Sequence, residues 1–213
     1  MEQNRLVLEN VGKTFRNQQV LEAINCEFES GKIYGIVGEN GCGKTVLLKI
    51  LSGLMKASTG HVFYNGKILK DEIDFLPSLG VIIENPGFFD ELSGFDNLKI
   101  LASFQKKIND KEITNSLERV GLINNKKLVQ NYSLGMKQRL GIAQAIMEDP
   151  DILILDEFTT ALDIDGVEMT HSLLRNFRDQ GKIIIITSHS AHDIKSLCDQ
   201  VLTIKNKGLS DGH

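Results

Sequence analysis

The sequence predicts an α/β protein with a mostly parallel core, an antiparallel β portion and an inserted α-helical segment. Runs at residues 33–37, 79–83, 152–155 and 183–187 are continuously apolar, as strands must be when helices cover both faces of their sheet. The first third differs: short strand signals at 6–8, 20–28 and 61–64 accompany an Asn65-Gly66 pair, which favours a two-residue hairpin turn and hence antiparallel sheet. From 95 to 127 no strand signal occurs, while Ile113, Leu117 and Val120 recur at helical spacing, with Asp110 as a cap and Gly121 as a stop. Further helices are expected at 136–147, with an apolar stripe of Met136, Leu140, Ala143 and Met147, and around Thr170, Leu173, Leu174 and Phe177. A last strand signal covers 201–205, and residues 208–213 read as a loose end.

With 213 residues, 41% of them hydrophobic, the chain can bury a sizeable core. Its apolar runs are too short to cross a bilayer, and the acidic start at Met1 and Glu2 has no signal-peptide pattern. A net charge of -4 offers no basic field to gather nucleic acid, so no nucleic-acid partner is expected. Cys26, Cys42 and Cys198 are odd in number and lack metal-ligand spacing, which fits free thiols in a reducing compartment.

Gly38, Glu39, Asn40, Gly41, Cys42, Gly43, Lys44 and Thr45 form GENGCGKT, between a strand-like run and a helix-like run from residue 46. This is the pattern of a loop that grips phosphate: glycines let backbone N–H groups turn inward, Lys44 reaches the outer phosphates, and the Thr45 hydroxyl suits a magnesium ion. The following helix points its partially positive end at the same place. Cys42 reads either as a small residue that fits the loop or as a thiolate favoured by Lys44 and the helix end.

At the end of the apolar run 152–155 stand Asp156 and Glu157. Adjacent strand residues face opposite ways, so Asp156 is expected on the magnesium ion and Glu157 beside a water molecule as general base. His189 follows the run 183–187 and is expected to contact the outermost phosphate or orient the attacking water, with His192 as its nearest competitor. Lys44, Glu157 and His189 are thus the expected catalytic residues.

The segment Tyr132-Ser133-Leu134-Gly135-Met136-Lys137-Gln138-Arg139 resembles the signature motif of ATP-binding cassette proteins, usually LSGGQ followed by a basic residue. The loop 160–163 after Glu157 and His189 complete that family's motifs in order, and the resemblance spans essentially the whole chain. The string YSLGMKQRLGIA looks most like the branch serving export of, and immunity to, bacitracin-like and lantibiotic peptides. The resemblance implies a RecA-like P-loop NTPase fold in a single domain, 1–213, with the helical insert at roughly 86–135. It implies ATP and Mg2+ as ligands. Phe15 matches the aromatic that stacks on adenine, the other reading being a core aromatic; Glu84 stands where glutamine is usual, as a metal ligand; Asp163 matches the aspartate between subunits; Ser133 and Gly135 match signature residues.

Ser133 opens a helix, so its hydroxyl and the nearby N–H groups form an anion seat separate from the Gly38 loop. In the family the two half-sites meet when two copies pack head to tail. The resemblance therefore implies a nucleotide-dependent homodimer and a separate membrane permease, with the chain cytoplasmic and peripheral to the inner face of the membrane. Leu134 replaces a signature glycine, Phe158 the usual proline, and Glu84 adds charge near the phosphates, so a working but slow ATPase is expected. Competing readings are a cassette ATPase without a permease and a nucleotide-gated module that hardly hydrolyses.

Overall fold

A computed structural model describes residues 4–84, 86–122 and 126–212. The parallel core is a six-stranded sheet ordered β10-β9-β3-β8-β7-β6. Its strands are β3 (Lys32–Val37), β6 (Leu79–Ile82), β7 (Ile152–Leu155), β8 (Ile183–Thr187), β9 (Gln200–Lys205) and β10 (Gly208–Asp211). All neighbours are parallel except β10, which runs antiparallel to β9. The tail expected to be loose is therefore an edge strand: Leu209 faces Ile204 in register and joins the core cluster on one face of the sheet.

The continuous apolar runs have the anticipated cause. In β7 and β8 every residue is buried, with Leu153, Leu155, Ile184 and Ile186 entering one core cluster and Ile152, Ile154, Ile183 and Ile185 the other. Each such side chain contributes about 1.5–3 kcal/mol when removed from water. Alternate residues facing opposite cores is the period-2 geometry of a strand covered on both sides.

The antiparallel sheet has the order β2-β1-β4-β5, from β1 (Arg5–Phe15), β2 (Gln18–Glu29), β4 (Thr59–Tyr64) and β5 (Lys67–Ile68). Asn65 and Gly66 turn β4 into β5 with φ of 48° and 81°, the two positive values that a tight hairpin of this type requires. β1 runs well past the expected 6–8 because bulges between Leu8 and Thr14 let it follow both neighbours. α1 (Lys44–Leu51) lies with this sheet over one face of the core.

Between β6 and β7 the chain forms α2 (Gly94–Gln105), α3 (Asp110–Arg119), a 3-10 turn (Val129–Asn131) and α4 (Leu134–Ile146). Ile113, Leu117 and Val120 are buried as their spacing requires. The cap of α3 is Asn109 rather than Asp110: its side chain accepts from Lys111 N, and Glu112 reaches back to Asn109 N in a capping box. The part of the expected helical stretch at 123–125 lies outside the described residues, as do Met1 and Glu2. α5 (Ile164–Asp179) buries Thr170, Leu173, Leu174 and Phe177, and α6 (Ala191–Leu197), which no sequence signal had suggested, links β8 to β9.

Candidate functional site

Sheet order brings the distant motifs together. Strand β8 lies between β3 and β7, so the loop leaving β3 must reach over about 10 Å of sheet to meet the end of β7. It does so through Thr45 on α1, whose hydroxyl donates to Asp156 Oδ2 at 2.8 Å. Thr187, the last residue of the intervening strand, donates to Asp156 Oδ1 at 2.5 Å and accepts from the Glu157 N–H at 3.0 Å. Thr187 closes the apolar run 183–187, and only its position one strand over gives it this role.

The glycine loop has the shape its composition promised. Gly41 and Gly43 have φ of 78° and 109°, and a Cβ on Gly43 would lie 3.0 Å from Leu21 Cδ2, so only glycine fits there. Lys44 Nζ folds back to donate to the carbonyls of Gly38 at 2.8 Å and Glu39 at 3.3 Å. Glu39 and Asn40 are exposed at the crown. α1 has no side-chain cap and no acidic residue in its first turn, whereas α2, α3, α4, α5 and α6 each receive one from Ser93, Asn109, Ser133, Asp163 and Ser190. The orphan N–H groups of α1 are left to an outside anion. Cys42 is half-buried against the core and faces Gly38, an arrangement in which its small size does the packing. Burial pushes the Cys26 thiol up to about 11 and that of Cys198 to about 12.

Glu157 adopts φ 48°. Its direction therefore comes from a left-handed turn after the strand rather than from strand alternation, and such a backbone costs a non-glycine residue about 1–2 kcal/mol. The turn aims the carboxylate at the loop after β8: Oε2 accepts from the His189 N–H at 3.1 Å, and His189 Nε2 stands 3.3 Å from Oε1. Oε1 is buried and accepts no hydrogen bond, with that imidazole beside it. His189 itself is exposed. His192 instead lies on α6 against the His171 ring, 6.3 Å away.

Glu84, the expected metal ligand, is engaged in an ion pair. Its Oε1 accepts from Lys49 Nζ of α1 at 2.8 Å, so the extra charge is matched by a lysine one turn after Thr45. The two acidic groups Asp156 and Glu157 nevertheless share a cavity of about 200 Å3 with Glu84, Leu134, Gln138 and Thr160. Phe158 is buried at 0% exposure and its carbonyl accepts from Gln138 Nε2 at 2.9 Å. An aromatic anchor thus stands where the resemblance leads one to expect proline.

Ser133, Gly135 and Asp163 form a second group. Ser133 Oγ accepts from the Met136 N–H at 3.2 Å and so caps α4. Leu134 beside it is 68% exposed. A Cβ on Gly135 would lie 2.8 Å from the Ala161 carbonyl, so glycine is what allows α4 to touch the loop after β7. Asp163 caps α5 through the Gly166 N–H at 3.0 Å and accepts from Arg139 Nη2 at 2.6 Å. That guanidinium bond first, and the Gly166 N–H second, hold its carboxyl below the usual range. Among the described residues the contacts of Ser133 and Gly135 are with α4 and Ala161, not with the glycine loop. Phe15 ends β1 at 42% exposure, with Lys13 Nζ 5.1 Å from its ring; it is a surface aromatic rather than a core one.

The sequence profile of the ABC transporter family matches residues 21–160. The ABC transporter ATP-binding protein YybJ of Bacillus subtilis is 47% identical over 94% of this chain and 92% of its own length. The bacitracin transport ATP-binding protein BcrA of Enterococcus faecalis is 40% identical over 94% of this chain and 66% of its own length. For the lantibiotic transport ATP-binding protein SrtF of Streptococcus pyogenes the figures are 35%, 91% and 84%. A dimeric ATP-binding cassette bound to ADP and Pi in a post-hydrolysis state superposes with a TM-score of 0.86 over 97% of each chain at 20% identity, a likeness of fold. Fold, loop geometry and relatives agree: the chain belongs to the ABC transporter family, as one of its ATPase subunits.

Proposed function

We propose that this chain binds Mg-ATP in the Gly38 loop, hydrolyses it with Glu157 as general base, and uses ATP-dependent head-to-tail pairing of two copies to drive a separate membrane permease. The observation that carries the reading is the convergence of Thr45, Asp156 and Thr187 beside Glu157. Oxygen donors from a hydroxyl and one carboxylate suit magnesium, which prefers few protein ligands and keeps waters and substrate phosphates around it. No cluster of three or more His, Cys, Asp or Glu able to hold a metal occurs among the described residues, consistent with a metal brought in by the nucleotide. Thr45 and Asp156 would hold the ion, with Glu84 beside them once released from Lys49; the ion would supply charge neutralisation at the β- and γ-phosphates.

Lys44, at the start of α1, adds its point charge, and the uncapped helix end receives phosphate oxygens. Phe15 offers its exposed face to adenine. Glu157 takes a proton from the attacking water through Oε1, and His189 keeps that carboxylate aimed. Ser133 and Gly135 of the second copy close the nucleotide, and Asp163 lies between subunits. Leu134 reduces the contact area for the γ-phosphate and makes the ATPase slow.

The chain is read as one domain over 1–213 with residues 86–135 as its helical insert. Ser93, Phe95, Asp96, Thr114, Leu117 and Leu128 of that insert line a cavity of about 580 Å3, and Phe89 and Phe104, also of the insert, are 60% and 78% exposed. This is the surface that would take the permease. No helix among the described residues is long and apolar enough to cross a membrane; the chain would sit on the cytoplasmic side through that permease, as the transport-named relatives suggest. Relatives named for bacitracin and lantibiotic transport support peptide-antibiotic export or immunity as its task, and no nucleic-acid partner is needed.

Glu157→Gln is the test. Phosphate release should fall by about 10²–10⁴-fold, and the variant should pass from monomer to dimer in light scattering when saturated with Mg-ATP. A variant that remains monomeric overturns the paired reading.

A further inference from the structure

One buried carboxylate outside the nucleotide site ties together the two loops that carry Glu157 and His189. Asp193 of α6 is 2% exposed. Its Oδ2 accepts from Thr159 Oγ1 and from Ser188 Oγ, each at 2.7 Å, and its Oδ1 lies 3.1 Å from His171 Nε2 on α5. Thr159 is two residues after Glu157, and Ser188 immediately precedes His189. The Ser188 hydroxyl in turn accepts from the Ser190 N–H at 3.0 Å, and Ser190 Oγ accepts from the Asp193 N–H at 3.2 Å. No lysine or arginine faces the carboxylate in these contacts, so its burial is sustained by three hydrogen-bond donors on three different elements.

The position of that hub bears directly on the base. Glu157 Oε2 is held by the backbone N–H of His189, so its aim depends on where the loop after β8 sits relative to the loop after β7. Beyond the end of the β7·β8 pairing, Thr187 and Asp193 both span the two loops. His171 steadies the hub from behind: its ring is 0% exposed, 6.5 Å from Phe158 and 6.3 Å from His192. Its Nδ1 is buried without a partner. Burial pushes this imidazole towards the neutral form, in which Nε2–H donates to Asp193 and only a lone pair is left unpaired.

We propose that Asp193 is a positioning residue for hydrolysis, clamping the Thr159 and Ser188 hydroxyls so that Glu157 and His189 keep their mutual geometry. The inference rests on Glu157 being the base. It places a determinant of turnover on α6 and separates turnover from nucleotide binding: the side-chain hydrogen bonds of Lys44 and Thr45 go to Gly38, Glu39 and Asp156 rather than to the clamp.

Thr159→Val and Ser188→Ala remove one hydroxyl each with little change of volume. Together they should lower kcat by about tenfold to a hundredfold, the loss that a displacement of about 1 Å at a reacting group brings, with KM for ATP within about twofold. In a Glu157→Gln background the same pair should cause no further loss, because the group they position is gone. Asp193→Asn provides a second route, with the same split between kcat and KM. The clamp is overturned if the double variant keeps kcat within about twofold while folded, if KM rises as much as kcat falls, or if the loss persists undiminished in the Glu157→Gln background. The base assignment fails separately, if Glu157→Gln alone leaves turnover intact.

Discussion

The N-terminus of α1 and the N-terminus of α4 are both offered to phosphate in the proposed reading, yet they are finished differently. At α1 three glycines shape the approach, no side chain caps the helix, and Lys44 is curled onto the loop's own carbonyls. At α4 the Ser133 hydroxyl already accepts from the Met136 N–H, an exposed leucine stands next to it, and Gly135 is committed to contact with Ala161. An open helix end with a lysine attached is a binding site in one chain. A capped helix end whose first-turn cation, Lys137, is paired with Asp90 at 3.1 Å is a lid, able to donate the hydrogen of its hydroxyl but short of the uncommitted charge needed to hold a triphosphate alone.

The contrast breaks most readily at Lys44. Lys44→Ala should cost roughly 2–5 kcal/mol of nucleotide binding, as loss of one member of a close charge pair does, measured by titration of a fluorescent ATP analogue at concentrations where the chain is monomeric. Unchanged affinity would mean that the helix end alone holds the phosphates. Ser133→Ala sharpens the other side. It should lower thermal stability by about 0.5–2 kcal/mol, the usual worth of a serine cap, leave the monomer's nucleotide affinity as it is, and weaken Mg-ATP-driven pairing in light scattering. A fall in monomer affinity would place Ser133 in its own chain's site and erase the distinction.

The smallest effect lies between the halves, at His171. Burial lowers its folded pKa below the ordinary 6.5. The unfolded chain therefore binds the proton more readily, so the contribution of the neutral buried imidazole is present above 6.5 and is lost as pH falls through and below that value. Melting temperature should decline modestly from pH 7 towards pH 5, and a His171→Asn variant should lose that part of the slope. A slope unchanged by the substitution would assign it to other groups.

Much of this was legible in the chain. The four apolar runs became β3, β6, β7 and β8 because covered strands need no polar face, and Asn65-Gly66 became a hairpin because few other pairs accept two positive φ values. The phosphate loop could be read residue by residue, since its backbone shape requires glycine. Elsewhere the signals were too weak or too distant. β10 holds no continuous apolar run and forms because an edge of β9 is there to pair with. α6 is seven residues long and was too short to announce itself by periodicity. Thr187, Arg139 and Asp193 are polar residues whose partners lie on other elements, and only their neighbours give them a role.

Local chemistry written in the chain thus determined which segment grips phosphate, which runs are covered strands and which glycines are indispensable, since these depend on backbone freedom and side-chain polarity within a few residues. The tertiary structure decided where charge goes. Strand order placed Thr187 between Thr45 and Glu157, and helix packing gave Glu84 to Lys49, Asp163 to Arg139 and Asp193 to His171. An ion pair or a shared hydroxyl requires two groups within about 3 Å, and that proximity is set by how strands and helices stack.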